Sequence, residues 1–214
     1  MVIVDFTGEH VRAAAALARE SYEEERRWVP DLPDLDAPLD LKPFAENGLG
    51  SAALEGGELV GFLCAVPPFE QVFGSTDVRG VFSPMGANAF PREGRVETAA
   101  ALYRHAARKW VRAGAVSHGL CLYAHDESAQ RQFFQYGFGM RCVDAVRSLD
   151  PVDGPPCEGY EFSELPPEEC LRAYPLELLL HQHYLQSPFF MAREPAPEEA
   201  FSRAFREEGD RCFL

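Results

Sequence analysis

Between Val96 and Gly137 the chain changes its hydrophobic period twice, and this limits the folds open to it. Ala99, Leu102, Ala106, Trp110 and Val111 recur at helical spacing, which predicts a helix from Val96 to Ala113 stopped by Gly114. The run SHGLCLYAHD that follows is extended. Asp126 then stands as the N-cap of a further helix, ESAQRQFFQY, ended by Gly137, and FGMRCVDAVRSL predicts a last strand. A long amphipathic helix placed between strands is a crossover connection. Part of the sheet must therefore run parallel.

The first ninety residues supply antiparallel partners. MVIVDF predicts a strand, and His10 to Trp28 a helix with Val11, Ala14, Ala15, Ala18 and Tyr22 on one face. WVPDLPDLDAP is a proline-interrupted loop, and Leu39 to Asn47 a short helix. SAALEGGELVGFLCAV predicts a hairpin turning at Glu55-Gly56-Gly57, and VRGVFSP a further strand. The fold class expected is a mixed α/β sheet flanked by helices. The acidic-basic run YEEERRW predicts a solvated helix end.

After a Pro/Gly linker over residues 150–159, the pattern begins again. YEFSEL predicts a strand, Pro167 to Gln186 and Glu198 to Glu208 predict helices, and RCFL starts another strand. FREEGDRCFL (Phe205 to Leu214) repeats the helix-end, glycine and strand pattern of FAENGLGSAAL (Phe44 to Leu54). The expected organisation is a domain over 1–149 followed by a partial second repeat over 160–214, whose uncovered apolar surface favours a homodimer.

Composition narrows the partners. A formal net charge of −14 opposes binding to nucleic acid or an anionic membrane. No apolar run approaches the roughly 18 residues needed to span a bilayer, and MVIVDFTGEH has no secretory pattern, so a cytoplasmic protein is expected. The 6 cysteines show no metal-ligand spacing, and Cys64, Cys121 and Cys142 lie in apolar runs as buried hydrophobes would.

One segment carries a family resemblance. LYAHDESAQRQFFQYGFGMRCVDAV places Asp126, Ala129, Phe133 and Gly137-Phe138 at the spacing of the strand, N-x-x-A, aromatic-x-x-x-G-F, strand pattern. With the element order of residues 1–149, it resembles the GNAT N-acetyltransferase superfamily. The resemblance implies a sheet splayed between its fourth and fifth strands, here about Val78–Ser83 and His118–Ala124. It also implies transfer of acetyl from acetyl-CoA to a small-molecule or peptide amine by direct attack.

From the same resemblance, Val81, Phe82 and Ser83 would pair with the pantetheine arm. Arg92, Gly94, Arg95 and Thr98 would supply pyrophosphate donors at a helix start, with Asp126 and Phe133 at the family's motif positions nearby. Glu97 stands where the pattern has its central glycine. Phe133 replaces the tyrosine that protonates the leaving thiolate, so Tyr136 or Tyr123 is the candidate acid, and Glu70 or His125 the candidate base. The rival expectation is a non-catalytic GNAT-like scaffold, or an acyl-CoA-binding domain, in a tandem protein.

Overall fold

A computed structural model describes residues 1–37, 39–72, 78–151, 154, 158–186, 194–207 and 211–214. The chain divides into two compact units, one of Met1–Val72 with Val78–Leu149 and one built on Asp150–Leu214. Half of the expected linker, including Cys157, lies outside the described residues, as does Gly209 of the repeated pattern.

In the first unit β1 (Val2–Asp5), β2 (Ser51–Glu55), β3 (Glu58–Leu63) and β5 (Asn88–Ala89) form an antiparallel sheet in that order. β4 (Gly80–Ser83) pairs in parallel with β6 (Ser117–Leu120). β4 and β5 are two parts of one run, broken at Pro84–Ala87, where Ala87 N–H turns back to Pro84 O at 3.0 Å. The continuation of β3 ties the parts together. Cys64 N–H donates to Ala87 O, Val66 N–H to Phe82 O, and Phe69 bridges Gly80.

Strand alternation sorts side chains to two faces. Ala52, Phe62 and Cys64 point to one face, under α1 (Val11–Arg26) and α2 (Lys42–Glu46), with Phe6, Ala14, Ala18 and Phe44. Ala53, Leu63 and Ala65 point to the other, under α3 (Arg95–Arg112) and α4 (Glu127–Gln135), with Leu102, Trp110 and Phe133. The Trp110 indole also donates to Leu49 O at 3.0 Å, so it fixes α3 to the chain entering β2. Both α3 and α4 end in a glycine at positive φ, Gly114 at +91° and Gly137 at +90°.

Two expectations need correcting. No strand forms over residues 138–149. Alternation there fails to collect apolar residues on one side, since Arg141 and Arg147 share one face with Val143, and Asp144 shares the other with Met140 and Val146. Cys142 is exposed in that segment, whereas Cys64 is buried and Cys121 half-buried.

The second unit has β7 (Glu164–Leu165) antiparallel to β8 (Cys212–Phe213). Between them lie a 3-10 helix at Pro167–Ala173, α5 (Tyr174–Tyr184) and α6 (Glu198–Arg206). Its core is small: Leu165, Cys170, Ala173 and Cys212, covered by Phe201, Phe205 and Leu214. Strand, 3-10 turn, two helices and an antiparallel strand follow one another here in the same order as from β1 to β2. Among the described residues no helix is long and apolar enough to cross a membrane.

Candidate active site

The parallel pairing of β4 with β6 runs from Gly80 opposite Ser117 to Ser83 opposite Leu120. Cys121 N–H still donates to Ser83 O at 2.9 Å. Beyond that point the strands part, because the turn at Pro84–Ala87 carries β5 back to β3. The Asn88 side-chain amide bridges the gap, donating to Ser83 Oγ at 3.1 Å and Cys121 O at 3.0 Å. The opening therefore lies after Ser83, later than the strand pattern places it. Val81 and Ser83 are fully buried in paired backbone, and Phe82 is half-buried beside them.

At the end of β6 the chain enters a 3-10 turn at Ala124–Asp126, and three elements bring charged side chains together there. Glu25, on the last turns of α1, receives Ala124 N–H at 3.2 Å and His125 N–H at 3.1 Å. His125 Nδ1 lies 2.6 Å from the same carboxylate. With Nδ1–H donated to Glu25, the imidazole presents Nε2 as an acceptor. Nε2 is buried without a hydrogen-bond partner, 3.7 Å from Asp126 Oδ1 and 3.9 Å from Glu24 Oε2.

Arg95, the first residue of α3, crosses the cluster. It donates to Pro91 O and His125 O, and its Nη1 sits 3.2 Å from Asp126 Oδ1. Its Nη2 lies 3.3 Å from Glu24 Oε2, and Arg92 Nε lies 3.1 Å from the same oxygen. Gly94, at φ +65°, makes the turn that delivers Arg95 from the loop into the helix.

Burial and charge set the protonation states. Burial raises Glu24, but His125, Arg95 and Arg92 outweigh it and hold the carboxyl below its usual range. Asp126 goes the other way: burial pushes it up despite His125 and Arg95, and Glu24 and Glu25 add to the rise. Neither Asp126 oxygen has a hydrogen-bond partner, so it does not cap α4 through its side chain. Tyr123 stacks on the His125 ring at 5.6 Å, and burial pushes its hydroxyl up to about 12.

The sequence-derived candidates thus separate. His125, Asp126, Arg92, Gly94 and Arg95 come together. Thr98 is turned into the sheet, its hydroxyl 3.3 Å from Met1 Sδ. Phe133 packs among Phe90, Tyr103 and Phe138 in the core. Tyr136 is exposed and stacks on Tyr103, and Glu70 is paired with Arg79 at 2.7 Å. Glu24 and Glu25 were hidden in the run expected to be a solvated helix end. One signal could have found Glu25: Ala14, Ala18, Ser21 and Glu25 follow at helical spacing, and all four are buried. Among the described residues no group of His, Cys, Asp and Glu side chains is placed to hold a metal ion.

No protein-family model and no curated protein matches the chain. Solved structures do. The F44R mutant of the BH1408 protein from Bacillus halodurans is 12% identical, covering 71% of this chain and 100% of that one, with a TM-score of 0.51. A tetramutant of the same protein is 16% identical over the same shares, with a TM-score of 0.50. A ribosomal-protein-alanine N-acetyltransferase from Brucella melitensis biovar Abortus 2308 is 18% identical over 70% of this chain and 100% of that one, with a TM-score of 0.46. What the chain shares with the two BH1408 structures is its fold, a mixed α/β sheet with helices on both faces.

Proposed function

We propose that this chain is an acyl-CoA-dependent N-acyltransferase that moves acetyl from acetyl-CoA to an amine, with His125 as general base. The observation that carries the reading is the Glu25–His125 pair at the end of β6, beside the opening of the sheet, with Nε2 left without a partner. An ammonium must lose a proton before its lone pair can attack. Nε2 takes that proton, the nitrogen forms the new bond to the acetyl carbon, and the carbon–sulfur bond breaks. The thiolate then takes a proton. Phe133 has none to give, Tyr136 faces Tyr103, and Tyr123 keeps its own across the neutral range. Tyr123 is therefore the acid to test.

The donors for the cofactor's diphosphate are Arg92 and Arg95 at the start of α3. Their chemistry suits a diphosphate, but one carboxylate, Glu24, already contacts both. That contact favours a second reading, a non-catalytic GNAT-like domain in a tandem protein. The order of elements in the second unit supports a tandem arrangement in either case. Calorimetric titration of acetyl-CoA into the 214-residue chain, with desulfo-CoA as control, separates the two readings. Saturable binding supports the transferase, and no binding at millimolar cofactor leaves the scaffold. If binding is seen, His125→Asn is expected to lower kcat by about 10²- to 10⁴-fold while acetyl-CoA affinity holds.

A further inference from the structure

Among the described residues Glu24 is the one carboxylate that reaches both guanidiniums of the cluster and the free edge of the imidazole. Its Oε2 lies 3.1 Å from Arg92, 3.3 Å from Arg95 and 3.9 Å from His125 Nε2. Arg95 does not depend on it for position, since Pro91 O, His125 O and Asp126 hold the guanidinium independently. Arg92 is largely exposed, with 62% of its side chain open to solvent, and among the described residues its hydrogen-bond and ion-pair partner is Glu24 alone. The two guanidiniums thus form a clamp with one fixed and one free arm, closed on an internal anion.

A second observation points to the same place. His125 Nε2, 3.9 Å from the Glu24 carboxylate, is buried with no hydrogen bond, and neither Asp126 oxygen makes one either, the ion pair of Oδ1 with Arg95 aside. An arrangement complete in itself would satisfy such atoms. The charge on Glu24 covers the edge of the imidazole and also fills the clamp.

We infer that Glu24 is a built-in competitor for a diphosphate: it closes the Arg92–Arg95 clamp and covers His125 until an incoming diphosphate displaces it. The inference rests on the acyl-CoA reading for its physiological ligand, but the competition itself belongs to the clamp. Displacement exchanges one carboxylate for a diphosphate of higher charge on the same two guanidiniums. It also removes the carboxylate that α1 holds 3.9 Å from Nε2, so that edge of the base is uncovered only when cofactor is bound. Such coupling would keep His125 shielded in the free protein.

Titration of inorganic pyrophosphate into wild type, Glu24→Ala and Glu24→Gln tests the lock without the rest of the cofactor. Glu24→Gln keeps the side-chain volume and serves if the alanine variant loses the end of α1. Pyrophosphate affinity should rise about tenfold or more in the variants, and Glu24→Ala combined with Arg92→Ala should lose that gain. Equal affinity in wild type and both single variants overturns the inference. Acetyl-CoA is titrated in parallel. A gain for pyrophosphate with no acetyl-CoA binding keeps the lock and removes the acyl-CoA reading, whereas acetyl-CoA binding unchanged by either variant keeps that reading and removes the lock.

Discussion

Glu25 accepts two backbone N–H groups and the His125 ring, so its charge is matched by donors from a segment about 100 residues away. Glu25→Gln keeps the shape but weakens charge-assisted bonds, and should cost about 1.5–3 kcal/mol in chemical denaturation. The neighbouring carboxyls respond oppositely to pH. Glu24 titrates below its usual range in the folded chain, so the stability it contributes is complete above the unfolded carboxylate range and is lost as pH falls through its lowered value. Glu24→Gln should therefore show a shallower loss of stability on acidification than wild type. Asp126 titrates above its usual range, so its ionisation opposes folding as pH rises. Asp126→Asn should gain on wild type between pH 3 and pH 7, and stability curves at the two ends check the sign. These opposite shifts could not be read from composition. A carboxylate in YEEERRW and one beside a helix start look alike until burial and partners are known.

At the scale of elements, much was legible. The α3 stripe, the Glu55–Glu58 turn with Gly56 and Gly57 at positive φ, and the glycine ends of α3 and α4 all express local rules of spacing and backbone freedom. The expected last strand over 138–149 did not form, because a strand needs a partner and its side chains offered no consistent apolar face. The β4–β6 pair rests on close backbone approach. A Cβ on Gly80 would stand 2.6 Å from Ser117 O and 2.6 Å from Val72 Cγ1. The first of these is backbone of the partner strand and cannot rotate away. Gly80→Ala should cost about 1–3 kcal/mol and lower protection of β6 amides in hydrogen exchange. Trp110→Ala, which empties the centre of the α3 face and removes the bond to Leu49 O, should cost about 3–5 kcal/mol by the same denaturation measurement.

For the whole molecule, the two units differ in what they can bury. The first has helices on both faces of its sheet, while the described residues of the second gather four buried apolar side chains under three partly buried ones. A fragment of residues 1–149 should unfold in one cooperative thermal transition, whereas a fragment of 150–214 should show none, since so small a core does not offset chain entropy. By itself the sequence determined the periods, turns and helix ends, and hence a mixed sheet flanked by helices, because each of these depends on residues within a few positions of one another. It also placed His125, Asp126, Arg92 and Arg95 as candidates. Only the tertiary structure decided that Glu24 and Glu25 join them, where the sheet opens, and that Val81–Ser83 are paired backbone. The cluster depends on α1 meeting the start of α3 and the end of β6, which lie some 70 and 100 residues further along the chain, and the opening depends on which strands pair, so both are settled only when the sheet assembles.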